Sequence, residues 1–551
     1  MPHSMPPAAE LETVLRYHER TKHRFHRYAA GPRALDWANQ PDPFRRYAGA
    51  PLLALPRLAP HDEPRSPLYQ AIYQPGAVAS ALLTLASLSR LLEYSLSLTA
   101  WKQAGDVRWA LRANPSSGNL HPTEGYVLIA LPELGGPGLF HYAPREHALE
   151  RRAEYAPQAY SRLVRGLPAH SFLVALSSVH WREAWKYGER AFRYCQHDIG
   201  HAIGALRIAA ATLGWSALVL DDTPDETIAR LLGLDRDADF AGVERESAEA
   251  VLAVWPGTQS EPLPLALEEI APERWYGTAN RLSRDEPVPW NAIDVVAAAS
   301  RKPVNSAGNS GTRPELAPRA MDRSSGSVPE FPVPEWPTAG EIIHRRRSLL
   351  ACDAKTALSA ACFYRMLERT LWMDALPWPP TIHFALFVHR VEGIEAGLYA
   401  LARDAAKLEL LRASMHRGFE WAQPSGCPEM LALYLLQAGD ARELATQVSC
   451  QQHIAGDGAF SLGMIAEYQN SLLANGPWFY RRLYWEAGTI GQVLYLEAEA
   501  AGVRATGIGC FYDDPVHDVF GFGDLAFQSI YHFTVGGYVD DPRLTTLPPY
   551  E

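Results

Sequence analysis

The sequence has few cysteines, no surplus of basic residues and no long uninterrupted apolar run. Its 551 residues include six cysteines, none in a CxxC pair, which favours reduced thiols in a cytoplasmic protein over a disulfide framework. The net charge of −11 excludes the basic surface that a nucleic-acid partner requires. Of the longest apolar stretches, residues 77–89 are too short to span a membrane and residues 202–220 contain Arg207. We therefore expect neither a nucleic-acid nor a membrane partner.

Several nucleotide-binding and catalytic signatures are also missing. The sequence contains no GxGxxG after a strand, no Walker A loop and no GxSxG elbow. His197 and His201 have the four-residue spacing of zinc proteases, but the acid between them is Asp198 and no third ligand follows. Gly200 within this motif instead indicates close helix packing. We predict no metal site from the sequence.

The length and one stretch of unusual composition indicate two domains. A hydrophobic content of 47% and a charged content of 21% are typical of a globular protein, and 551 residues exceed one ordinary core. Residues 300–338 are rich in Pro, Ser and Gly, which predicts a flexible linker. The predicted organisation is an N-terminal domain at 1–260, a linker at 261–338 that is flexible from about 300, and a C-terminal domain at 339–551.

The two halves share a pattern. Residues 193–233 align without gaps on residues 481–521, and each copy predicts a helix, a glycine stop and a strand. The identical pairs are Arg193/Arg481, Gly200/Gly488, Leu206/Leu494, Ala210/Ala498, Gly214/Gly502, Ala217/Ala505, Asp225/Asp513 and Gly233/Gly521. Two Ala-rich helices can match by chance, but the ungapped register of the glycines favours duplication. Duplicating a fold that normally dimerises produces a pseudo-two-fold chain.

The most distinctive local pattern is RANPSSGNLHPTE at residues 112–124, ahead of a strand-like stretch at 125–130. Consecutive Pro, Ser, Gly and Asn residues predict a turn whose backbone N–H groups point outward. Gly118 would let that backbone approach a flat ring closely. The alternative is an ordinary loop between a helix and a strand.

This loop resembles the flavin-contacting loop of the nitroreductase superfamily, and more narrowly that of the SagB/thiazoline-oxidase branch. The loop residues are Pro115, Ser116, Ser117, Gly118 and Asn119. Other segments resemble the same branch in the same order, namely 17–23 (YHERTKH), 186–193 (KYGERAFR), 198–201 (DIGH), 345–348 (RRRS), 487–488 (AG), 507–509 (GIG) and 511–513 (FYD). The resemblance implies an α+β fold of two tandem nitroreductase-like domains. Each has an antiparallel-rich sheet flanked by helices, and together they form an intrachain pseudo-dimer.

The resemblance also implies how a flavin site is assembled. In homodimers of this family, one subunit supplies the Arg-Arg-Ser motif and the Gly-rich strand, and the other supplies the Pro-Ser-Ser-Gly-Asn loop. The first half of this chain has the loop but carries VLD at 219–221 in place of GIG, and the second half reads LPWPPTI at 376–382 in place of the loop. An aspartate at 221 should repel an electron-rich flavin. We therefore predict one complete composite site and one FMN per chain.

The resemblance assigns the cofactor contacts. Arg346, Arg347 and the Ser348 hydroxyl would bind the flavin phosphate, and Arg543 is a further candidate cation. Leu350 stands where the family often has another basic residue, which weakens the predicted grip. Backbone N–H groups of Gly507, Ile508 and Gly509 would face the ring. The alternative for residues 345–347 is a solvated basic turn at the start of a helix.

The adjacent Lys186 and Tyr187 are the candidate catalytic residues. They resemble a Lys-Tyr pair that assists proton removal in azoline-oxidising members of the branch. An apolar cleft disfavours the charged form of a lysine, which suits a base. The alternative is a surface lysine on a helix. The equivalent second-half residues are Ala474 and Asn475, so only one copy would carry this chemistry.

The sequence therefore predicts an FMN-dependent oxidoreductase similar to SagB-type dehydrogenases. Hydride would pass to or from flavin N5, and the substrate would be a small molecule or modified peptide bearing a thiazoline- or oxazoline-type ring. One alternative is a nitro- or quinone reductase that uses NADH or NADPH as a diffusible reductant. Another is a flavin-free scaffold that partners a peptide-modifying complex. We expect the chain to be a pseudo-dimeric monomer, with a higher oligomer as the alternative.

Overall fold

The computed structural model describes residues 7–74, 76–257, 267–304 and 337–550. Most of the predicted flexible segment from about residue 300 therefore lies outside the described residues. Within these ranges, none of the helices is both long enough and apolar enough to pass through a membrane.

The α-helices within the described ranges are α1 Pro7–Arg20, α2 Leu85–Ser95, α3 Pro157–Leu163, α4 His180–Tyr187, α5 Ala191–Thr212, α6 Asp225–Leu232, α7 Asn291–Ala299, α8 Ala339–Arg345, α9 Ala360–Arg369, α10 Leu408–Ala413, α11 Arg442–Val448, α12 Ile454–Asp457, α13 Tyr468–Asn475, α14 Phe479–Ala500 and α15 Asp513–Phe520. The strands are β1 Tyr47–Ala48, β2 Leu52–Ala54, β3 Leu98–Ala104, β4 Val107–Arg112, β5 Thr123–Leu131, β6 Gly136–Ala143, β7 Ala148–Glu154, β8 Phe172–Ser178, β9 Trp215–Val219, β10 Ser247–Pro256, β11 Arg274–Trp275, β12 Thr278–Ala279, β13 Leu358–Ser359, β14 Ile382–Val388, β15 Val391–Glu392, β16 Gly397–Ala402, β17 Ala432–Ala438, β18 Phe460–Glu467, β19 Arg504–Ile508, β20 Phe527–Gly536 and β21 Thr545–Leu547.

Each half contains one large antiparallel sheet. In the first half the strand order is β11-β7-β6-β5-β8-β10-β9, with β2 added to β7, and in the second half it is β17-β16-β14-β18-β20-β19. The central strands are buried on both faces, as β8 and β18 show, because helices cover them. The predicted α+β architecture, with an antiparallel-rich sheet flanked by helices in each half, is confirmed.

The two longest helices, α5 and α14, pack against each other and join the halves. Nearly every residue of both helices is buried. Thr489 donates from its hydroxyl to the Gly200 carbonyl at 3.0 Å, and Trp485 donates from its indole N–H to Gln196 Oε1 at 2.7 Å. The predicted helical interface is therefore present within one chain.

The aligned segments occupy equivalent places around this interface. Each helix is followed by a glycine with positive φ, Gly214 at 64° and Gly502 at 73°, and then by the predicted strand. Arg193 forms a buried ion pair with Asp513 at 2.8 Å. The equivalent residues, Arg481 and Asp225, form the same pair in the opposite direction across the interface.

Segments outside the sheets also cross between the halves. The C-terminal strand β21 pairs with β3 of the first half, with Thr545 opposite Gln103. Residues 267–304, within the predicted linker, contain α7, whose Ile293 and Val296 are buried. This part of the predicted linker is therefore packed against the protein.

Candidate functional site

The loop with the PSSGN sequence connects β4 to β5 and is held by α5. Gly118 and Asn119 have positive φ values of 61° and 57°. Asp198 on α5 accepts hydrogen bonds from both the backbone N–H and the hydroxyl of Ser117, each at 3.2 Å. Burial raises the pKa of Asp198 to about 7, although hydrogen bonds from Ser116 and Ser117 oppose this shift. A buried carboxyl group thus anchors the loop.

Arg346 from the second half lies directly beside the start of this loop. Its Nη2 donates to the Arg112 carbonyl at 2.7 Å, and its guanidinium lies 5.1 Å from the centre of the Tyr495 ring. The side chain is buried, and Nε has no hydrogen-bond partner among the described residues. Burial lowers the pKa of Arg346. The RRRS motif therefore contacts the end of the strand that leads into the PSSGN loop of the opposite half.

Arg347 and Ser348 extend the same polar cluster. Arg347 Nη1 donates to the carbonyls of His344 at 2.8 Å and Arg346 at 2.7 Å. Burial, together with the smaller effect of the neighbouring Arg346, lowers the pKa of Arg347 to about 10. Ser348 Oγ lies 3.3 Å from Tyr495 Oη. Within the described ranges, neither Arg346 nor Arg347 forms an ion pair with a carboxylate.

The motif begins at the end of a helix, so its predicted alternative as a turn at a helix start is wrong. Thr338 and Glu341 form a reciprocal capping box at the start of α8, which fixes the direction of the helix. The arginines follow at its C-terminal end, where the helix dipole favours cations. Arg345 is exposed and pairs with Glu499 at 3.5 Å, unlike the two arginines after it.

The Gly-rich strand β19 contacts both helices of the interface. Gly507 N donates to Tyr495 Oη at 3.1 Å. The Gly509 carbonyl accepts from Tyr194 Oη and from Arg190 Nη2, each at 3.2 Å. A first-half helix and the preceding turn therefore hold the carbonyl end of a second-half strand.

Lys186 and Tyr187, at the end of α4, lie against the PSSGN loop. A Cβ built on Gly118 would lie 2.6 Å from Tyr187 Oη and 3.1 Å from Lys186 Nζ. The Tyr187 ring packs edge-on against Tyr194 with centroids 4.6 Å apart. Two tyrosines thus connect the loop to the Gly-rich strand. Burial and the nearby Glu183 raise the pKa of Tyr187 well above its usual value.

Glu183 is a nearby acid that the motifs did not identify. It lies one helical turn before Lys186 and is fully buried. Burial and Asp198 raise its pKa well above the usual range, while Lys186 and the Ser116 hydroxyl oppose the shift. Two buried acids, Glu183 and Asp198, therefore face the loop from α4 and α5. Only the tertiary contact between these helices reveals the pair.

Arg543 lies apart from the RRRS motif. Its side chain is 84% exposed and binds Asp541 at 2.7 Å. Lys102 on β3 is instead close enough to Arg347 and Arg504 for both to lower its pKa, after burial. No motif in the sequence marks Lys102, because its position beside Arg347 depends on a tertiary contact between the two halves.

In the first half, the charged residue Asp221 stands at the position equivalent to Gly509. Asp221 accepts from Arg482 Nε at 2.8 Å and lies 3.5 Å from Lys302 Nζ. Arg482 is the counterpart of Tyr194 in the alignment. The hydrogen bond from Tyr194 to the Gly509 carbonyl therefore has the buried ion pair between Arg482 and Asp221 as its counterpart. This ion pair occupies the position of the mirror-image flavin site.

The donor set around Arg346 fits the phosphate of FMN. Among the described residues, neither largely buried guanidinium forms an ion pair with a carboxylate, although Glu499 is close enough to offset part of their charge, Arg346 Nε is unpaired, and the Ser348 hydroxyl is adjacent. An uncompensated buried charge is costly unless an anion neutralises it. Arg346, Arg347 and Ser348 would hold a phosphate here. Tyr187, Tyr194 and the glycines they contact would border a flat ring.

Two cavities lie elsewhere. One of about 360 Å³ is lined by residues including Lys22, Asp514 and His517. The other, about 460 Å³, is lined by residues including Glu226 and Arg481. They occupy equivalent places beside α15 and α6, and none of the predicted flavin contacts lines them.

This chain is similar to known proteins in one region of its sequence and in its overall fold. Residues 84–243, from the start of α2 to the segment before β10, match the model of the nitroreductase family. This match includes the PSSGN loop, the Lys186–Tyr187 pair and all of α5. No curated protein matches the chain significantly.

A solved structure shares almost the whole fold. It is that of a provisionally named nitroreductase from Anabaena variabilis ATCC 29413, with 24% identity, coverage of 96% of this chain and 99% of that chain, and a TM-score of 0.68. The E. coli microcin synthetase McbBCD bound to truncated pro-MccB17 matches with 18% identity over 47% of this chain and 100% of that chain, with a TM-score of 0.26. A mutant of the FMN- and NADPH-dependent nitroreductase NfnB from Sphigopyxis sp. strain HMH has 15% identity over 38% of this chain and 91% of that chain, with a TM-score of 0.21.

The first of these structures superimposes over nearly its full length, which establishes the fold of this chain. The family match concerns one part of the chain only. Residues 84–243 are therefore similar to the nitroreductase family, and the fold over both halves is that of the Anabaena variabilis structure.

Proposed function

We propose that this chain is an FMN-dependent oxidoreductase similar to SagB-type dehydrogenases, with one flavin site formed by both halves. The observation that carries the proposal is the hydrogen bond from Arg346 to the Arg112 carbonyl. It joins the RRRS motif of one half to the last residue of β4, three positions before the PSSGN loop of the other half. Such a junction is expected of a composite site and would not be required of two independent domains.

We further propose that the chain arose by tandem duplication, with domains at 1–260 and 339–551 and a linker at 261–338. The paired contacts Arg193–Asp513 and Arg481–Asp225 support this history. The Asp221–Arg482 pair supports loss of the mirror-image flavin site. The expected content is therefore one FMN per chain.

Arg346, Arg347 and Ser348 would bind the phosphate, and the loop at 115–119 would contact the ring. Gly507, Ile508 and Gly509 would border it, and Arg190 and Tyr194 fix their position through the Gly509 carbonyl. A bound FMN would supply a two-electron centre that exchanges hydride at N5. Arg543, paired at the surface, is not needed for this arrangement.

Lys186 is the proposed base. The contacts of Lys186 and Tyr187 with Gly118 place both side chains beside the loop. Lys186 Nζ would take the proton from the substrate carbon, and Tyr187, whose raised pKa keeps it protonated, would donate a hydrogen bond. By resemblance, the substrate is a thiazoline- or oxazoline-type ring. Use of NADH or NADPH as a diffusible reductant is the competing proposal.

The first test is flavin released by heat and counted per chain. We expect about one FMN per chain, as one composite anion site requires. Arg347→Ala and Asn119→Ala should each lower flavin content although they lie in opposite halves. Arg345→Ala is the matched control, because Arg345 is exposed and already paired with Glu499. About two FMN per chain would contradict the single site, and a flavin-free protein after reconstitution would favour the scaffold.

A further inference from the structure

Three soft metal ligands come together from distant parts of the chain. His23 follows α1, Cys450 follows α11, and Cys510 follows the Gly-rich strand. Their ligand atoms all lie within 4.8 Å of one another. His23 Nδ1 lies 3.6 Å from Cys510 Sγ and 4.0 Å from Cys450 Sγ. No sequence motif links these residues, because their separation along the chain hides the cluster.

The spacing matches one tetrahedral ion. Zinc–sulfur bonds of about 2.3 Å and zinc–nitrogen bonds of about 2.0–2.1 Å place nitrogen and sulfur about 3.6 Å apart and two sulfurs about 3.8 Å apart. The observed separation from Cys510 agrees with this value, and the one from Cys450 exceeds it by about 0.4 Å. A shift of Cys450 Sγ by about 0.4 Å toward His23 Nδ1 would bring this separation to the same value.

The backbone around Cys450 is bent into an unusual turn. Cys450 and Gln451 are consecutive non-glycine residues with positive φ, 55° and 61°. Positive φ is unfavourable for residues that carry a Cβ atom, and such residues adopt it only where contacts with the rest of the protein stabilise it. The turn brings Cys450 toward Cys510 and His23, which gives the unfavourable conformation a role.

A second layer of contacts holds the ligands in place. Gln452 Nε2 donates to the Cys510 carbonyl at 2.8 Å and to the Ser449 carbonyl at 2.9 Å, which ties the two thiol-bearing segments together. The His23 backbone N–H donates to Asp513 at 2.9 Å. In metal sites generally, hydrogen bonds from surrounding residues fix the orientation of the ligands.

We propose that His23, Cys450 and Cys510 bind one zinc ion, with the fourth position open to water. Two thiolates and one neutral imidazole would make the site electrically neutral with Zn²⁺, and this mixed nitrogen–sulfur set is the one zinc prefers. The ion would fasten the N-terminal segment of the first half to the second half, next to Gly509. Three protein ligands and an open position distinguish it from a closed structural site.

The test is metal content of the full-length protein, measured by inductively coupled plasma mass spectrometry after zinc loading and gel filtration. We expect about one zinc per chain. Replacement of the zinc by Co²⁺ should produce a thiolate-to-cobalt charge-transfer band in the unaltered chain. This measurement needs no variant and so does not depend on whether a variant folds.

Variants identify the ligands. Cys450→Ser, Cys510→Ser and His23→Gln should each weaken zinc binding at least about 100-fold, and Gln452→Ala about 10-fold. Cys362→Ser and the exposed His61→Gln are the matched controls and should bind zinc normally. Flavin is counted in the same samples, so a failure of the zinc proposal is distinguishable from a failure of the flavin proposal. No bound zinc after loading, unchanged binding in all three ligand variants, or a Cys450–Cys510 disulfide in the native protein would overturn the proposal.

Discussion

Gly200 and Gly488 face each other where the two central helices cross, and neither position has room for a methyl group. A Cβ on Gly200 would lie 2.8 Å from Gly488 Cα, and a Cβ on Gly488 would lie 2.8 Å from Gly200 Cα. Because the obstructing atoms are backbone, Gly488→Ala should destabilise the protein by about 2 kcal/mol even after the helix-propensity gain of about 1 kcal/mol. Guanidinium unfolding measures the change.

The matched control is Gly418→Ala, where an added Cβ meets nothing within 4 Å. Its stability should change by less than about 0.5 kcal/mol. Equal effects of the two substitutions would show that the helix crossing does not depend on this close approach.

The buried ion pairs predict a second stability effect. Asp513 accepts from Arg193 at 2.8 Å and from Arg190 at 3.0 Å, and its carboxylate is fully buried. Asp513→Asn would leave two guanidiniums uncompensated, so we expect a loss of about 3–5 kcal/mol. Asp541→Asn at the exposed pair with Arg543 should change stability by less than about 1 kcal/mol. A small effect at Asp513 would mean that solvent reaches the pair.

These contacts also show how much the sequence could predict. The aligned glycines and the helix–glycine–strand pattern indicated both central helices, since such patterns are local and repeat. The PSSGN loop was recognisable because its turn needs particular residue types. The DIGH segment was noted as well, but not the role of Asp198 as anchor of the loop, since that contact joins residues 81 positions apart.

The rest depended on tertiary structure. A loose match to the family suggested Arg543 as a further cation for the phosphate, whereas in the folded chain Lys102 lies close enough to Arg347 for the arginine to lower its pKa. His23 and the two cysteines are separated by more than 400 positions, so no spacing rule applies to them. Long-range contacts of this kind leave no periodic signal in a single sequence.

Asp198 predicts a pH dependence of stability. Its pKa is raised by burial from about 4 in the unfolded chain to about 7. Between these values the folded protein retains a proton that the unfolded chain has released, so the free energy of unfolding decreases as the pH rises. The contribution is up to about 4 kcal/mol. Urea unfolding of flavin-free protein at pH 5 and pH 8 would measure about 3 kcal/mol of it, because part of the stabilisation is already lost at pH 5.

Asp198→Asn provides the comparison, because the amide cannot titrate but still accepts from Ser117. Relative to the unaltered protein, this variant should become more stable as the pH rises. A difference between the two proteins that stays constant from pH 5 to pH 8 would contradict a shifted carboxyl at this position.

Tyr187 should contribute less to catalysis than its neighbour. Because its pKa is raised well above the usual value by burial and by Glu183, its hydroxyl stays protonated and serves as a hydrogen-bond donor. Tyr187→Phe should therefore lower turnover of a thiazoline-containing peptide by about 10-fold, as expected for one lost hydrogen bond. A complete loss would instead assign the base to Tyr187.

Lys186→Ala tests the base itself. Without the amine, turnover of the same peptide should fall by about 10²–10⁴-fold, while flavin content stays near that of the unaltered protein because the phosphate contacts lie in the other half. Small primary amines added to the variant should restore part of the activity, since they can replace the missing proton acceptor. Lys355→Ala, at an exposed position in the second half, is the control and should retain full turnover. Unchanged turnover in Lys186→Ala with full flavin content would exclude this lysine as the base.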